Sequence, residues 1–425
     1  MRDEHVLMAE RMETTVRTPR LARAPRVERR VERRVHDAVA PARRATGAFF
    51  ALLGVSVSTW AALVPFTKAR LGLDEGTLGT VLLAFGGGTI VATLLAAPLM
   101  ARHGSRRALI VAAPLLCLSL PLLAHAVSSP ALAALLFAFG AFVGLAGVAA
   151  NAQAIAVQAM AGRPIMSSFH ALFSLGGLTG AGVSSLLFRA GLPVETTAAV
   201  IAAGLMLLVA AMGRGLVAHD PLTSDRPAGP ARRALPPTPV LVVGAMTFAL
   251  YLSEGAVLDW GAVFFHEARA YDVATAALGY AAFSIAMAFG RLVGDRVVAR
   301  VGAVAVIRWG AAVAALGFLT IVLAPNEALG LLGCALIGIG ASNVVPTLIS
   351  ASARVSDLPT GAAVSTVVAM GTTGLIAGPA LIGFVAQHTG LAIALGGLAA
   401  MLLAVGSVAG IVGRSVPRHV RAVEA

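Results

Sequence analysis

The sequence predicts an all-α membrane protein of twelve transmembrane helices arranged as two pseudo-symmetric bundles of six. Three observations predict it. Apolar residues make up 58% of the 425 and charged residues only 12%, about half the ~25% charge of an average soluble domain. Such a chain cannot cover its surface with polar groups, so lipid must be part of its solvent. The apolar residues gather in a dozen long stretches, each near the ~20 residues that cross a hydrocarbon core as a helix. Landmarks of the first six stretches recur about 198 residues later in the second six, as internal repeats do. Arg102-x-Gly104 returns as Arg300-x-Gly302, each after an alanine, Ala101 or Ala299. Trp60 returns as Trp260, and Leu78-Gly79 as Leu278-Gly279.

In chain order, residues 1–45 read as a basic, disordered tail with 12 Arg against 7 acids and no apolar run. Its Val-Glu-Arg-Arg repeat at 27–34 has the alternative of a short helix on an anionic leaflet. No apolar core with a cleavage site follows, so a secretory signal is not predicted. The first bundle spans 46–213, with crossings at 46–66, 76–100, 107–126, 131–159, 166–188 and 193–213. A polar linker follows at 214–238, broken by Pro221, Pro227, Pro230, Pro236 and Pro237. The second bundle spans 239–413, with crossings at 239–265, 273–299, 303–323, 328–353, 359–386 and 390–413, before a tail at 414–425. Runs rich in Ala, Gly and Leu without strand alternation exclude an outer-membrane barrel.

The formal net charge of +12 is placed by topology rather than by nucleic acid. With the N-terminus inside, only Lys68, Arg70, Arg189 and Arg269 of the 32 lysines and arginines fall outside. That bias sets both termini in the cytoplasm. The outer loops are too short for an extracellular domain, so chemistry must sit within the helices or at their inner ends. The two cysteines, Cys117 and Cys334, fall inside crossings and read as apolar packing residues. Lys68, the sole lysine, follows Thr67, which excludes a phosphate-binding Gly-Lys-Ser/Thr loop and ATP-driven work by this chain alone. No metal cluster, cofactor motif or nucleophile elbow is present, so no cofactor and no enzyme activity are expected.

Two half-length repeats in a membrane are the build of a carrier that opens to one side at a time. The loop after the second crossing, Ala97-Pro-Leu-Met-Ala-Arg102-His-Gly104-Ser-Arg106-Arg107, carries a more specific signal. It resembles the major facilitator signature Gly-x-Leu-x-Asp-Arg-x-Gly-Arg-Arg, with Leu99, Arg102, Gly104 and Arg106 matching. The signature's first glycine is Ala97 and its aspartate Ala101, so the acid of that latch is missing here. In the second half Gly290-Arg291-Leu-Val-Gly294-Asp295-Arg296 runs on to Arg300-Val-Gly302, and Asp295 can supply the absent acid. Arg291 and Asp295 stand four apart and can instead pair along one helix face. Arg102, Gly104, Arg106, Arg291, Asp295, Arg296 and Arg300 are therefore the inner-gate candidates.

The stretches Gly162-Arg-Pro-Ile-Met-Ser167-Ser-Phe-His170, Val148-Ala-Ala-Asn151-Ala-Gln153, Glu254-Gly and Asn343-Val-Val-Pro346 narrow the likeness. They resemble a bacterial branch near the fucose-permease-like sugar carriers. The resemblance covers 46–413 and implies a monomeric inner-membrane transporter of a small solute, driven by protons. Gly147 stands where that branch often has an aspartate, which removes a coupling acid from the fourth crossing.

Glu254 is the sharpest single residue. It lies roughly 22 Å along its helix at about 1.5 Å per residue. A carboxyl at that depth is expensive unless it faces a cavity or a partner, and it is the proton-coupling candidate. Asn151, Gln153 and Asn343, with His170 and Ser167, are the substrate-cavity candidates; the amides serve equally as glue between helices. Trp60, Asp259 and Trp260 are the outer-gate candidates, with an interfacial aromatic belt as the plain alternative for the tryptophans. The pairs Gly140/Gly144, Gly176/Gly180 and Gly374/Gly378 predict close helix approach. The function read from all this is secondary transport of a small polar organic molecule, with a sugar as one candidate, coupled to H⁺, with lipid and solute as the expected partners. Aromatics at 5% offer few stacking platforms for sugar rings. Efflux of lipophilic compounds, and a non-transporting sensor that signals through the Arg-rich tail, are the other readings.

Overall fold

The computed structural model describes residues 26–73, 75–218, 236–271 and 273–413. Among them ten helices are long and apolar enough to cross a membrane. One of the ten, Thr80–Ala124, is long enough for two crossings. It lies in the helix Glu75–Ala124, which is broken at Gly104 by φ 77° and ψ 157°. We number its parts α2 (75–104) and α3 (105–124). The remaining helices are α1 (Arg26–Leu71), α4 (Ser129–Ala161), α5 (Met166–Arg189), α6 (Val194–Met212), α7 (Thr238–Val263), α8 (Val273–Val301), α9 (Ala303–Leu323), α10 in two pieces (Glu327–Ala341 and Val344–Ser352), α11 (Thr360–Thr389) and α12 (Leu391–Val408). These make twelve crossings, six on each side of the linker.

One difference from the sequence reading concerns an end. The first crossing was expected to begin at 46, after a disordered tail. In the structure α1 begins at Arg26, and Ala42 and Ala45 are already buried. Residues 1–25, most of the linker (219–235) and the tail 414–425 lie outside the described residues.

The repeat visible in the sequence is written into the backbone. Gly104 and Gly302 adopt the same left-handed turn, with φ 77° and ψ 157° in one and φ 81° and ψ 162° in the other. Only glycine takes such angles without strain. Ser128 caps α4 by accepting from the Ala131 N–H at 3.4 Å, and Asn326 caps α10 by accepting from the Leu329 N–H at 3.0 Å. These caps stand at matched places in the two halves.

Within each half, glycines let helices touch. A Cβ on Gly140 or Gly144 would run into α2 at Phe85 or Thr89. One on Gly176 or Gly180 would strike α1 at Ala51 or Val55, and one on Gly374 would strike α7 at Phe248. In a membrane this close packing replaces the hydrophobic drive that water supplies elsewhere. The outward-facing side chains are apolar and open, as with Leu207 at 73% and Trp309 at 68% exposure, which suits a surface solvated by lipid.

Candidate functional site

The centre of the molecule is organised by one arginine. Arg291, on α8, is buried, and taking such a charge out of water costs several kcal/mol unless partners replace it. Three partners do so. Its Nη1 donates to Ser174 Oγ at 2.8 Å, its Nε donates to the Ser342 carbonyl at 3.4 Å, and its Nη2 lies 3.9 Å from Glu254 Oε1. Ser174 is on α5 in the first half, whereas Glu254 and Ser342 are on α7 and α10 in the second. One side chain thus joins both halves.

Glu254 is held loosely. Its Oε1 is buried and accepts no hydrogen bond among the described residues, so the ion pair is its main compensation. Tyr251, one turn before it on α7, lies within electrostatic reach of both Glu254 and Arg291. His170 is buried on α5, one turn before Ser174, which donates to its carbonyl at 3.3 Å. The imidazole packs at 5.4 Å against the Phe50 ring, and its Nε2 has no partner among the described residues. A buried carboxylate oxygen and a buried ring nitrogen without hydrogen bonds, beside a paired guanidinium, form a site with unspent polar capacity.

Toward the Gly104/Gly302 end the halves close on each other. Asp295, one turn beyond Arg291, does not pair with it among the described residues; it reaches across to α5. There it accepts from the Ser168 N–H at 3.2 Å and from the Ser168 hydroxyl. Ser168 is the third residue of α5, and that helix has no capping side chain of its own. The carboxylate of one half therefore caps a helix of the other, which satisfies orphan N–H groups and complements the helix dipole. Arg43 of α1 donates to the same Ser168 hydroxyl at 3.4 Å. Beside this contact Gln158 donates to Ser350 across the halves, while its carbonyl holds the Ile165 N–H at 3.0 Å. On the opposite flank Ser365 of α11 donates to the Thr93 carbonyl of α2. These four links between the halves, Arg291 to Ser174, Ser168 to Asp295, Gln158 to Ser350 and Ser365 to Thr93, lie at the centre or toward this end.

The other sequence candidates separate. Asn343 sits where α10 breaks, donating to the Gly290 carbonyl and to Ser342 Oγ, both at 2.9 Å. It presses on Gly294 beside Ser167. Asn151, its counterpart, lies in an unbroken helix and donates to the Gly147 carbonyl at 2.9 Å. The matched amides therefore differ, one tying two helices and the other bonded within its own. Gln153, read as a cavity residue, is instead spent inside the first half. It donates to Ser105 Oγ at 2.8 Å and the Val217 carbonyl at 3.0 Å, and accepts from the Val217 N–H at 2.8 Å. Arg102, Arg296 and Arg300 are exposed, and like Arg106 they form no ion pair among the described residues. Trp60 is buried, Trp260 packs over Gly383 of its own half, and Asp259 is exposed without an ion pair among the described residues. The structure does not bring these three together.

The fold and this arrangement fit a known group. The sequence model of the Major Facilitator Superfamily matches residues 45–360. The chain belongs to the major facilitator superfamily. It is 39% identical over 359 residues to an uncharacterized MFS-type transporter of Yersinia pestis, covering 84% of this chain and 92% of that one. It is 33% identical over 350 residues to an uncharacterized transporter of Sinorhizobium fredii, covering 81% and 91%. Among solved structures it is similar to FucP in its outward conformation, with TM-score 0.71, 16% identity and coverage of 87% of this chain and 98% of that one. It is similar also to the proton:xylose symporter XylE, with TM-score 0.71, 14% identity and coverage of 88% and 95%. These structural likenesses show the fold. The family makes the chain a multi-pass membrane transporter and not an enzyme.

The sequence reading singled out Glu254, Arg291 and Asp295 but missed Ser168, Ser174, Tyr251, Arg43 and the Gln158–Ser350 pair. The available signal for the serines was weak: Ser168 and Ser174 lie one and seven residues past Ser167, which was singled out.

Proposed function

We propose that this transporter moves a small polar organic solute by alternating access and is driven by protons, with Glu254 as the coupling group. The observation that carries the reading is the bridge from Arg291 to Glu254 in one half and to Ser174 in the other. Protonation of Glu254 would remove the charge facing Arg291, leaving a guanidinium that cannot itself lose its proton. Arg291 would then seek another acceptor, and a solute hydroxyl or carboxylate entering between α5 and α8 supplies one. Loading of proton and solute are thereby favourable together, as symport requires. The halves 46–213 and 239–413 would rock as units joined by the linker 214–238, with the chain acting as a monomer in the bacterial inner membrane. The charge bias puts the Gly104/Gly302 end, and both termini, in the cytoplasm, so the structure corresponds to a carrier closed on the inside. Two structural neighbours named as a fucose:proton symporter and a proton:xylose symporter favour sugars as the first solutes to try.

The test is uptake into proteoliposomes under an imposed pH gradient, with L-fucose, D-xylose and glycolate as probes. For whichever probe is taken up, Glu254→Gln should lower gradient-driven uptake by about tenfold or more, within the usual range of coupling energies. Solute exchange without a gradient should persist. Equal gradient-driven uptake in both proteins removes Glu254 from the coupling role.

A further inference from the structure

A second place in the molecule has the makings of a binding site and shares no residue with the Arg291–Glu254 centre. At the Gly104/Gly302 end a cleft of about 500 Å³ opens between the halves. That is within the ~300–1,000 Å³ of small-molecule sites. One wall comes from the end of α4 and the turn into α5, the other from α8, α9 and the end of α10. The lining is mostly apolar, with Ile155, Met166 and Val298 among it, and carries two arginines, Arg163 from the first half and Arg354 from the second. Asp295, the carboxylate in the lining, is hydrogen-bonded to the start of α5 and lies within electrostatic reach of Arg163 but not of Arg354.

Arg354 is the informative group. It lies past the end of α10 and keeps contact with solvent; its backbone N–H donates to the Ala351 carbonyl at 2.8 Å, and its guanidinium has no hydrogen-bond or ion-pair partner among the described residues. The cleft walls nevertheless strip enough water from it to push its pKa below the ordinary value, and no carboxylate offsets this. A cation partly dehydrated and unpaired, at the mouth of an apolar cleft, gains most from an anion that brings its own apolar body. Arg163, the second cation of the cleft, lies on the opposite wall.

We propose that this cleft binds a small organic anion, a carboxylate or phosphate monoester on an apolar body, and that the anion bridges Arg163 and Arg354. Because its walls belong to different halves, the site exists in this form only while this end is closed. An occupant therefore favours the closed state and slows turnover. That the anion is cytosolic rests on the orientation proposed above; the binding does not.

The test uses the full chain purified in detergent, phenyl phosphate as the probe and phenol as its uncharged control. Phenyl phosphate at about a hundred times its Kd should raise the melting midpoint by about 2–4 °C, and phenol should not. Arg354→Gln and Arg163→Gln should each remove at least half of that shift, Arg354→Lys should keep it, and Glu254→Gln should leave it unchanged. Hydrogen exchange should slow in both walls, at 155–168 and at 347–354. No shift in the unaltered chain, an undiminished shift in either Gln variant, or protection of one wall alone overturns the proposal. A shift produced by short-chain phosphatidylglycerol but not by phenyl phosphate overturns it as well and assigns the arginines to a lipid headgroup. These readouts need no transport, so their failure is distinct from a failure of proton coupling.

Discussion

Arg291 and Glu254 are an unequal pair. The carboxyl can become neutral by taking a proton, whereas the guanidinium stays charged whatever surrounds it. Removing the acid therefore strands a buried cation on two neutral acceptors, Ser174 Oγ and the Ser342 carbonyl. Removing the arginine strands an acid that can still neutralise itself. We expect Glu254→Gln to cost about 1–3 kcal/mol of stability and Arg291→Gln less, with the double change no worse than Glu254→Gln alone. Thermal unfolding of the four proteins in one detergent checks this, and an Arg291→Gln loss larger than that of Glu254→Gln contradicts it. At this scale the sequence showed the charges and hid their partners. A charged residue inside an apolar run stands out in any hydropathy pattern. Serines do not, because most in a membrane helix bond their own preceding turn, as Ser56 does with Leu52 and Ser253 with Ala249. Nothing in the chain distinguishes Ser168 or Ser174 from these until α8 is placed against α5. Gln153 fails the opposite way: its spacing beside Asn151 suggested a shared cavity. Two positions apart on a helix, however, face about 200° away from each other, and Gln153 turns to Ser105 and Val217.

Among the elements, the four helices at the interface form two symmetry-related contacts, α2 with α11 and α5 with α8, built from different chemistry. Thr93 on α2 occupies the place of Arg291 on α8, and Ala97 the place of Asp295, by the offset of Gly104 to Gly302. The first contact is a hydroxyl on a carbonyl, Ser365 on Thr93; the second is a carboxylate on a helix start. Losing the second should therefore open the closed end more than losing the first. Replacing an N-cap by alanine costs about 1 kcal/mol, so Asp295→Ala should raise the open population roughly fivefold and Ser365→Ala by less. The rate of alkylation of a cysteine placed by Ser350→Cys, in a chain lacking Cys117 and Cys334, reads that population. An unchanged rate in Asp295→Ala means the cap does not hold the gate. The helices themselves, their number and their repeat were legible because hydropathy and glycine turns are local properties. The break in α10 at Asn343 was not, since it depends on Asn343 finding the Gly290 carbonyl on another helix. Close approach within a half was legible from glycine spacing, and it gives a further expectation. Gly140→Val should drive α4 off α2 at the Phe85 carbonyl, at an overpacking cost of about 1–3 kcal/mol. Gly177→Ala, where a Cβ meets nothing within 4 Å, should be silent. The monodisperse fraction in size-exclusion chromatography separates the two.

For the molecule as a whole, the question is whether the halves move as rigid bodies about the centre or bend within themselves. The two possibilities make opposite demands on contacts at the Gly104/Gly302 end. Gln158 with Ser350 joins the halves there, whereas Gln153 with Ser105 joins two helices of the first half at the same end. If the bundles rock as units, the first pair must separate in every cycle and the second never does. A short bis-methanethiosulfonate reagent, which releases a sulfinate at each end as it bridges cysteines at 158 and 350 by disulfides, should therefore abolish transport, and reduction should restore it. The same reagent across cysteines at 153 and 105 should leave the rate within about twofold of the unbridged protein, since it adds no constraint between bodies that move. Loss of transport in both proteins would point to motion inside the first bundle, and loss in neither would mean that this end need not open. Only the intended asymmetry is compatible with two repeats, fixed by matched glycine turns and helix caps, exchanging access around Arg291.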